Sequence, residues 1–407
     1  MKVLVFTTLF PNNVWPNHGV FVKERMCEVA RLDDCEVKVV APVPYYPCIR
    51  VGWRAAYRQV VPDEIIDGVH VYHPRYVMIP KVGMALHGLM LFLSVYFFVK
   101  KRRRNFDFDV IDAHYVYPDG FAAVLLSRCF QRRVVVSARG SDINQFSRFP
   151  LIRRLLQYTL RRADKVIGVC QALKNAMVAL KIPAEKITVV PNGVDHKKFY
   201  PASKNEARQR LRLPLDKRII LSVGGLIRRK GFDLIINALK LVSEESRVSD
   251  CFLVIIGEGP QRRALEILVR SRRLDDRVFF AGAIPHNELH VWYSAADLFC
   301  LASSREGWPN VLLESLACGT PVVAANIWGI PEIITSDEVG LLTDRTEDAI
   351  AEKIVLALRK QWQTESLLEH AKKHTWERTA LGVLRVFRGL LKEKNEFPDK
   401  YFAGRVI

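Results

Sequence analysis

The chain has no Cys-x-x-Cys pair, and its eight cysteines, at 27, 35, 48, 129, 170, 251, 300 and 318, share no spacing with its ten histidines that closes a tetrahedral site. A zinc module is therefore excluded, and reduced thiols in a cytosolic setting are the expectation. No stretch repeats with a period of 20–50 residues, which rules out a solenoid. Low-complexity sequence is missing apart from the basic run Lys100, Lys101, Arg102, Arg103 and Arg104. No secretory leader is expected, because Met1-Lys2 runs into Val3 to Phe6, too short an apolar stretch and without a small-residue cleavage site. Acidic residues are few: 43 Asp and Glu face 61 Lys and Arg, a net charge of +18. That surplus favours anionic partners such as nucleic acid, nucleotide phosphates or an acidic membrane surface, and selects them only by sign.

What remains is a globular composition. The 407 residues are 49% hydrophobic and 10% aromatic, enough for two domains or three with cores of their own. One segment, Val82 to Val99, has eighteen residues without a formal charge and ends at the basic run Lys100 to Arg104. Eighteen is the lower limit for a membrane span. Three readings stay open: a spanning helix, a wholly buried core helix, and a helix that touches a bilayer through its apolar face and basic end.

Strand and helix patterns alternate along the first half. KVLVFTTLF (2–10) is followed by a Pro/Asn-rich loop to Gly19, an amphipathic helix from Val20 to Leu32 and the strand pattern at 36–42. Further strands are expected at 69–73, 109–113, 133–137, 165–169 and 187–190. The pattern restarts at Arg218, with strands at 251–259, 278–282, 297–303 and 321–325 and a helix from Phe232 to Val242. Two α/β domains with parallel sheets follow, 1–198 and 199–385, joined by a polar hinge near 198–216 and trailed by a helix or tail at 386–407 that packs back on the first. Such an architecture opens a ligand cleft between the carboxyl ends of the two sheets.

The most informative stretch is SSREGWPNVLLESLACGTPVVA, 303–324. A strand ends, a loop carries Glu306-Gly307-Trp308, Pro309-Asn310 open a helix, and Gly319 closes it. Glu306 is then placed at the cleft and Glu314 inside the helix, while the amides from Trp308 to Val311 form an anion site strengthened by the helix dipole. A diphosphate fits there with a carboxylate on each side. Either glutamate alone reads as a surface carboxylate; their spacing together with the strand, loop, glycine and proline is far more specific.

With these residues the chain resembles the GT-B glycosyltransferases of the large retaining family 4 group, whose E-x7-E pattern matches Glu306 to Glu314. Further matches run in order: Gly19, His114 in DVIDAHYVYPDG, RGSDIN at 139–144, VVPNGVD at 189–195, RRKG at 228–231, IIGEGP at 255–260 and GIPEII at 329–334. The resemblance covers nearly everything to about residue 388. It implies that Arg229 and Lys230 clamp a pyrophosphate leaving group and that Glu306 holds hydroxyls of the donor sugar. It implies further that Glu314 holds the ribose, and that backbone near Ile284 reads the base. His114, at a strand's carboxyl end, is expected to face the cleft and touch the transferred sugar, and Gly19 to let the first loop approach a phosphate or the acceptor. It also places Gly307, Trp308, Asn310 and Val311 in the donor site, and Arg139 and Asp142 on the acceptor side, either binding the acceptor or shaping the first domain's wall of the cleft. The family usually has Arg where this chain has Gly225, so Arg228 or Arg229 must compensate.

The function so implied is transfer of a hexose-type sugar from a nucleoside diphosphate donor to a saccharide or lipid-linked saccharide, with retention, in polysaccharide assembly. It needs no cofactor. No metal is expected either, since Asp33-Asp34 follows a helix and Asp275-Asp276 precedes a strand on the wrong side. The expected location is cytoplasmic and peripheral at the inner face of the membrane, held by Lys100 to Arg104. Two rivals differ in kind. A nucleotide-sugar 2-epimerase shares the architecture, but Glu306 to Glu314 and PNGVD favour transfer. A basic nucleic-acid-binding protein explains the charge, but no RNP, zinc-finger or helix-turn-helix signature is present.

Overall fold

The structure, a computed structural model, describes residues 1–32, 35–46, 54–78, 84–244 and 250–391. Runs such as Val3-Leu4-Val5-Phe6 and Ile219-Ile220-Leu221 are buried at every position, as strands covered by helices on both faces must be. An eight-stranded sheet has the order Ile187–Val189, Lys165–Gly168, Arg133–Ala138, Val110–His114, Lys2–Phe6, Glu36–Val40, Val69–Tyr72 and Asp63–Ile66. All its pairs are parallel except the last, a hairpin closed by Asp67-Gly68, both at positive φ as a two-residue hairpin turn requires. A second, six-stranded sheet has the order Val278–Gly282, Cys251–Ile256, Arg218–Val223, Leu298–Leu301, Val322–Ala325 and Gly340–Thr343, parallel throughout. The strands expected from the sequence are present within a few residues. Asp63–Ile66, Gly340–Thr343 and the short pair Val43–Tyr45 and Arg75–Val77 are additions.

The polar stretch 198–216 is only in part a connecting segment. Within that stretch lies the helix Lys204–Leu211, capped by the Ser203 hydroxyl, which accepts from the Glu206 N–H. This helix belongs to the second half: Arg208 donates from Nη2 to Asp297 Oδ2 at 2.6 Å and from Nε to the Ala295 carbonyl at 2.9 Å. Just before that stretch, Val194 bridges to Thr375, where the chain returns. The returning helix, Trp376–Leu391, begins before residue 386 and packs Ala380, Val383, Leu384 and Phe387 against Val22 and Met26 of the helix Val20–Arg31. The expected tail beyond 391 lies outside the described residues.

The apolar segment forms the helix His87–Arg103; Val82 and Gly83 lie outside the described residues. It is not wholly buried. Gly88, Leu91, Val95 and Val99 make one buried stripe, on a helix that packs against the helix Phe121–Phe130 and the strand Arg75–Val77, while Leu86, Leu89, Leu93 and Phe97 are exposed, Phe97 at 74%. With 3.6 residues per turn, these two stripes lie on opposite sides of the helix.

A Cβ on Gly193 would lie 2.2 Å from the Thr375 carbonyl carbon and 2.3 Å from the Trp376 nitrogen, so the two segments pack backbone on backbone. Gly193→Ala is expected to cost about 1–3 kcal/mol, read as a drop in thermal midpoint. Gly389→Ala is the control, since a Cβ there meets nothing within 4 Å, and it should leave the midpoint unchanged or raised.

Candidate functional site

A cavity of about 660 Å³ lies between the carboxyl ends of the two sheets. Its size suits a small organic ligand of several rings. Arg229, Lys230, Glu306, Gly225, Ile284, Gly307, Trp308, Asn310, Val311 and Glu314 all line it from the second half, and Arg139 lines it from the first.

Glu306 sits in the loop after Leu298–Leu301 and is 8% exposed. Its Oε1 lies 2.7 Å from Lys230 Nζ and accepts from Ser303 Oγ at 2.7 Å, and its Oε2 lies 3.3 Å from Arg229 Nη1. Burial opposes the carboxylate, but Lys230 and Arg229 outweigh it and hold the group below its ordinary range. The site therefore presents two cations and one fixed anion, a net positive charge that an incoming phosphate can share. Of the two residues able to stand in for the cation absent at Gly225, Arg229 lines the cavity. Arg228 is exposed outside its wall.

Glu314 lies on the helix Asn310–Ala317, whose first turn no side chain caps; the Leu312 N–H bonds to the Pro309 carbonyl, and Asn310 and Val311 line the cavity at the positive end of the helix dipole, which suits an anion. The carboxylate bridges His286 Nε2 at 3.0 Å and the Tyr293 hydroxyl at 2.9 Å. Burial disfavours a charged His286, yet Glu314 beside it prevails and raises its pKa above the ordinary 6.5. This pair therefore stabilises the fold fully below 6.5, and the contribution fades as pH climbs through the raised His286 value.

Two expectations change, for His114 and Gly19, and of the two roles open to Asp142 the shaping one is seen. His114 does not face the cleft: its side chain is wholly buried, with Nε2 3.0 Å from Asp112 Oδ2 and Nδ1 accepting from Arg139. Burial pushes its pKa down to about 4, so the ring is neutral. The strand Val110–His114 ends beneath Arg139, and that larger side chain occupies the position at the wall. Asp142 is likewise buried, accepting from the N–H groups of Val116, Arg139 and Gly140 at 3.0, 3.1 and 2.8 Å. It shapes the loop that carries Arg139. Gly19 is left-handed at φ 69 and allows the Leu9 carbonyl to approach, where a Cβ would be 2.4 Å from that oxygen. Leu9, Asn17 and Val20, its neighbours, line the cavity instead.

Sequence reasoning missed Asn192, although the Pro-Asn-Gly triplet signals a special turn. Its Oδ1 accepts from Arg139 Nη1 at 3.0 Å, and its Nδ2 donates to Asn310 Oδ1 at 3.1 Å. Asp112, His114, Arg139, Asn192 and Asn310 thus form a polar chain from the first sheet to the opening of the second half's helix. His286 and Tyr293 were missed because only the fold brings them to Glu314. Among the described residues, no three His, Cys, Asp or Glu side chains are grouped to hold a metal.

Glu306→Gln is expected to lower turnover at least tenfold, since a charge-assisted hydrogen bond contributes about 1.5–3 kcal/mol; wild-type turnover would remove Glu306 from the reaction. For the second carboxylate, an NMR titration should find His286 above 6.5 in the native protein and below it in Glu314→Gln, where burial acts alone.

Comparison with known proteins bears on the fold and the family. The family model described as Glycosyltransferase Family 4 matches residues 24–198, and that described as Glycosyl transferases group 1 matches residues 203–374. TuaC of Bacillus subtilis (strain 168), named as a glycosyltransferase of teichuronic acid biosynthesis, is 28% identical over 372 residues, 90% of this chain and 91% of its own. Among solved structures, sucrose-phosphate synthase from Thermosynechococcus elongatus superposes with a TM-score of 0.78 at 22% identity, covering 96% of this chain and 99% of that one. HepE of Anabaena in complex with UDP gives 0.71 at 18% identity, covering 96% and 100%. These likenesses establish a GT-B fold, and with the two family matches they show that the chain belongs to the family 4 group of glycosyltransferases, glycosyl transferases group 1.

Proposed function

We propose that the protein transfers a hexose-type sugar from a nucleoside diphosphate donor to a saccharide or lipid-linked saccharide, with retention and without a metal, in the assembly of a cell-surface polysaccharide. The observation that carries this reading is the convergence, in one cavity, of Arg229, Lys230, Glu306, Glu314 and the uncapped helix at Asn310. A diphosphate lies against the two cations and the helix amides, whose fixed charges stabilise the negative charge developing on the leaving group. Glu306 accepts hydrogen bonds from donor-sugar hydroxyls, Glu314 does so from the ribose, and the base rests near Ile284. Glu306 is tied to Lys230 at 2.7 Å, which suits it to holding the sugar rather than attacking it. The acceptor oxygen then bonds to the anomeric carbon on the face that the diphosphate leaves. The acceptor's proton passes to a phosphate oxygen, and the nucleoside diphosphate departs with the electron pair of the broken bond. Positioning by the cavity supplies most of the rate.

Two features support a cytoplasmic protein bound at the inner membrane face. Leu86, Leu89, Leu93 and Phe97 form an exposed apolar stripe, and Lys100, Lys101 and Arg104 are exposed at its end. An apolar face with a basic end is the pattern of a helix lying in the interface of an anionic bilayer.

A screen of UDP- and GDP-sugars should yield free sugar and nucleoside diphosphate from one donor, and Lys230→Ala and Arg229→Ala should each weaken diphosphate binding, less so as salt rises. An epimerised nucleotide sugar, or retention on DNA-cellulose in preference to UDP-agarose, would overturn the reading. Sedimentation should recover the protein with anionic vesicles and lose it in high salt, each basic residue contributing about 1 kcal/mol. Replacing Lys100 to Arg104 by Gln should abolish that recovery, and equal binding to neutral vesicles would refute the electrostatic part.

A further inference from the structure

A second cavity, of about 630 Å³, opens on the first half and shares Leu9 with the donor cavity. Its wall is aromatic. The Trp15 and Tyr57 rings lie 4.2 Å apart between centroids, Tyr46 is 6.0 Å from Tyr57, and the Arg54 guanidinium sits 5.7 Å from the Tyr46 ring centre. Arg75 holds the turn that presents Tyr57, donating to the Val60 carbonyl at 2.6 Å and to the Tyr57 carbonyl. Among the described residues the lining contains no carboxylate, and Arg54 is its permanent cation. Met84 and His87 complete the wall, and from them the helix His87–Arg103 leads away with its apolar stripe uncovered.

Aromatic faces, one guanidinium and an apolar exit are three different recognition chemistries around one cavity. Aromatic rings offer flat apolar surfaces to the C–H faces of a sugar. A guanidinium is suited to phosphate. A helix with exposed leucine and phenylalanine takes hydrocarbon. We propose that this cavity seats the acceptor, and that the acceptor is a saccharide joined through phosphate to a lipid: sugar on Trp15 and Tyr57, phosphate at Arg54, hydrocarbon past Met84 onto the stripe Leu86, Leu89, Leu93 and Phe97. The assignment rests on the transferase reading above and adds to it the chemical class of the acceptor and the residues that choose it. The shared Leu9 makes the two cavities neighbours, so an acceptor seated in the second is within reach of the first.

The test is calorimetry on the full chain saturated with UDP, using octyl glucosyl phosphate, octyl glucoside and inorganic phosphate as probes. The phosphodiester should bind at least tenfold more tightly than the glucoside, and inorganic phosphate should bind weakest. Arg54→Gln should erase the preference for the phosphodiester and Arg54→Lys should restore part of it, while Trp15→Ala should weaken both glycosides. Thermal midpoints matching wild type confirm that these variants fold. Displacement of the probe by UDP, wild-type affinities in Arg54→Gln and Trp15→Ala, or inorganic phosphate binding as tightly as the phosphodiester would each overturn the assignment. The transferase reading fails separately, if the wild-type protein releases sugar from none of the nucleotide sugars.

Discussion

The cleft depends on a place where two loops meet with no side chain between them. A Cβ on Gly307 would lie 2.2 Å from the Arg139 carbonyl oxygen, one on Gly140 would lie 2.9 Å from the Gly307 nitrogen, and one on Gly329 would lie 2.1 Å from the Gly307 oxygen. Backbone cannot rotate away as a side chain can, so this contact sets the distance between the halves. It holds Arg139, from the first sheet, and Glu306, from the second, on the wall of one cavity. A wider separation would leave each half with part of a site.

Near this contact the buried carboxylates Glu306 and Asp112 each have a permanent cation within 4 Å, whereas Asp142 is held by backbone N–H groups. Glu306 lies between Lys230 and Arg229, and Asp112 takes His114 on one side and Arg25 on the other, at 3.0 and 3.9 Å. Ion pairs removed from water add little net stability and are costly to break. Their value here is orientation. The Asp112, His114, Arg139, Asn192 and Asn310 chain fixes the guanidinium at the wall and joins it to the residue that opens the helix Asn310–Ala317. His114, neutral by burial, accepts at Nδ1 from Arg139, which leaves its proton on Nε2, 3.0 Å from Asp112 Oδ2.

Much of the fold was legible because its signals are local. Continuous apolar runs marked the strands, and Pro309 and Gly319 bracketed the helix that carries Glu314. Where the signal was weak, elements were missed. Asp63–Ile66 alternates over too few residues to stand out, although Asp67-Gly68 is a hairpin dipeptide, and Gly340–Thr343 is a short strand of four. The polar composition of 198–216 was read as a hinge, yet Ser203 and Glu206 already form a capping pair for the helix Lys204–Leu211. Polarity there reflects a surface helix with Ala207 and Arg208 turned inward.

The sequence by itself determined the alternation of strand and helix, the restart of the pattern at Arg218, and the spacing that places Glu306 before a helix and Glu314 within it. These are properties of near neighbours, and periods of 2 and 3.6 residues write them directly into the chain. Only the tertiary structure decided that Lys230 meets Glu306, that Tyr293 and His286 meet Glu314, and that His114 lies beneath Arg139 instead of in the cleft. It also decided that one face of the segment after Gly88 is covered and the other left open. Such contacts join residues far apart along the chain, where no local period records them, and burial, which sets the charge of His114 and the pairing of Glu306, exists only once both sheets and their loops have closed on one another.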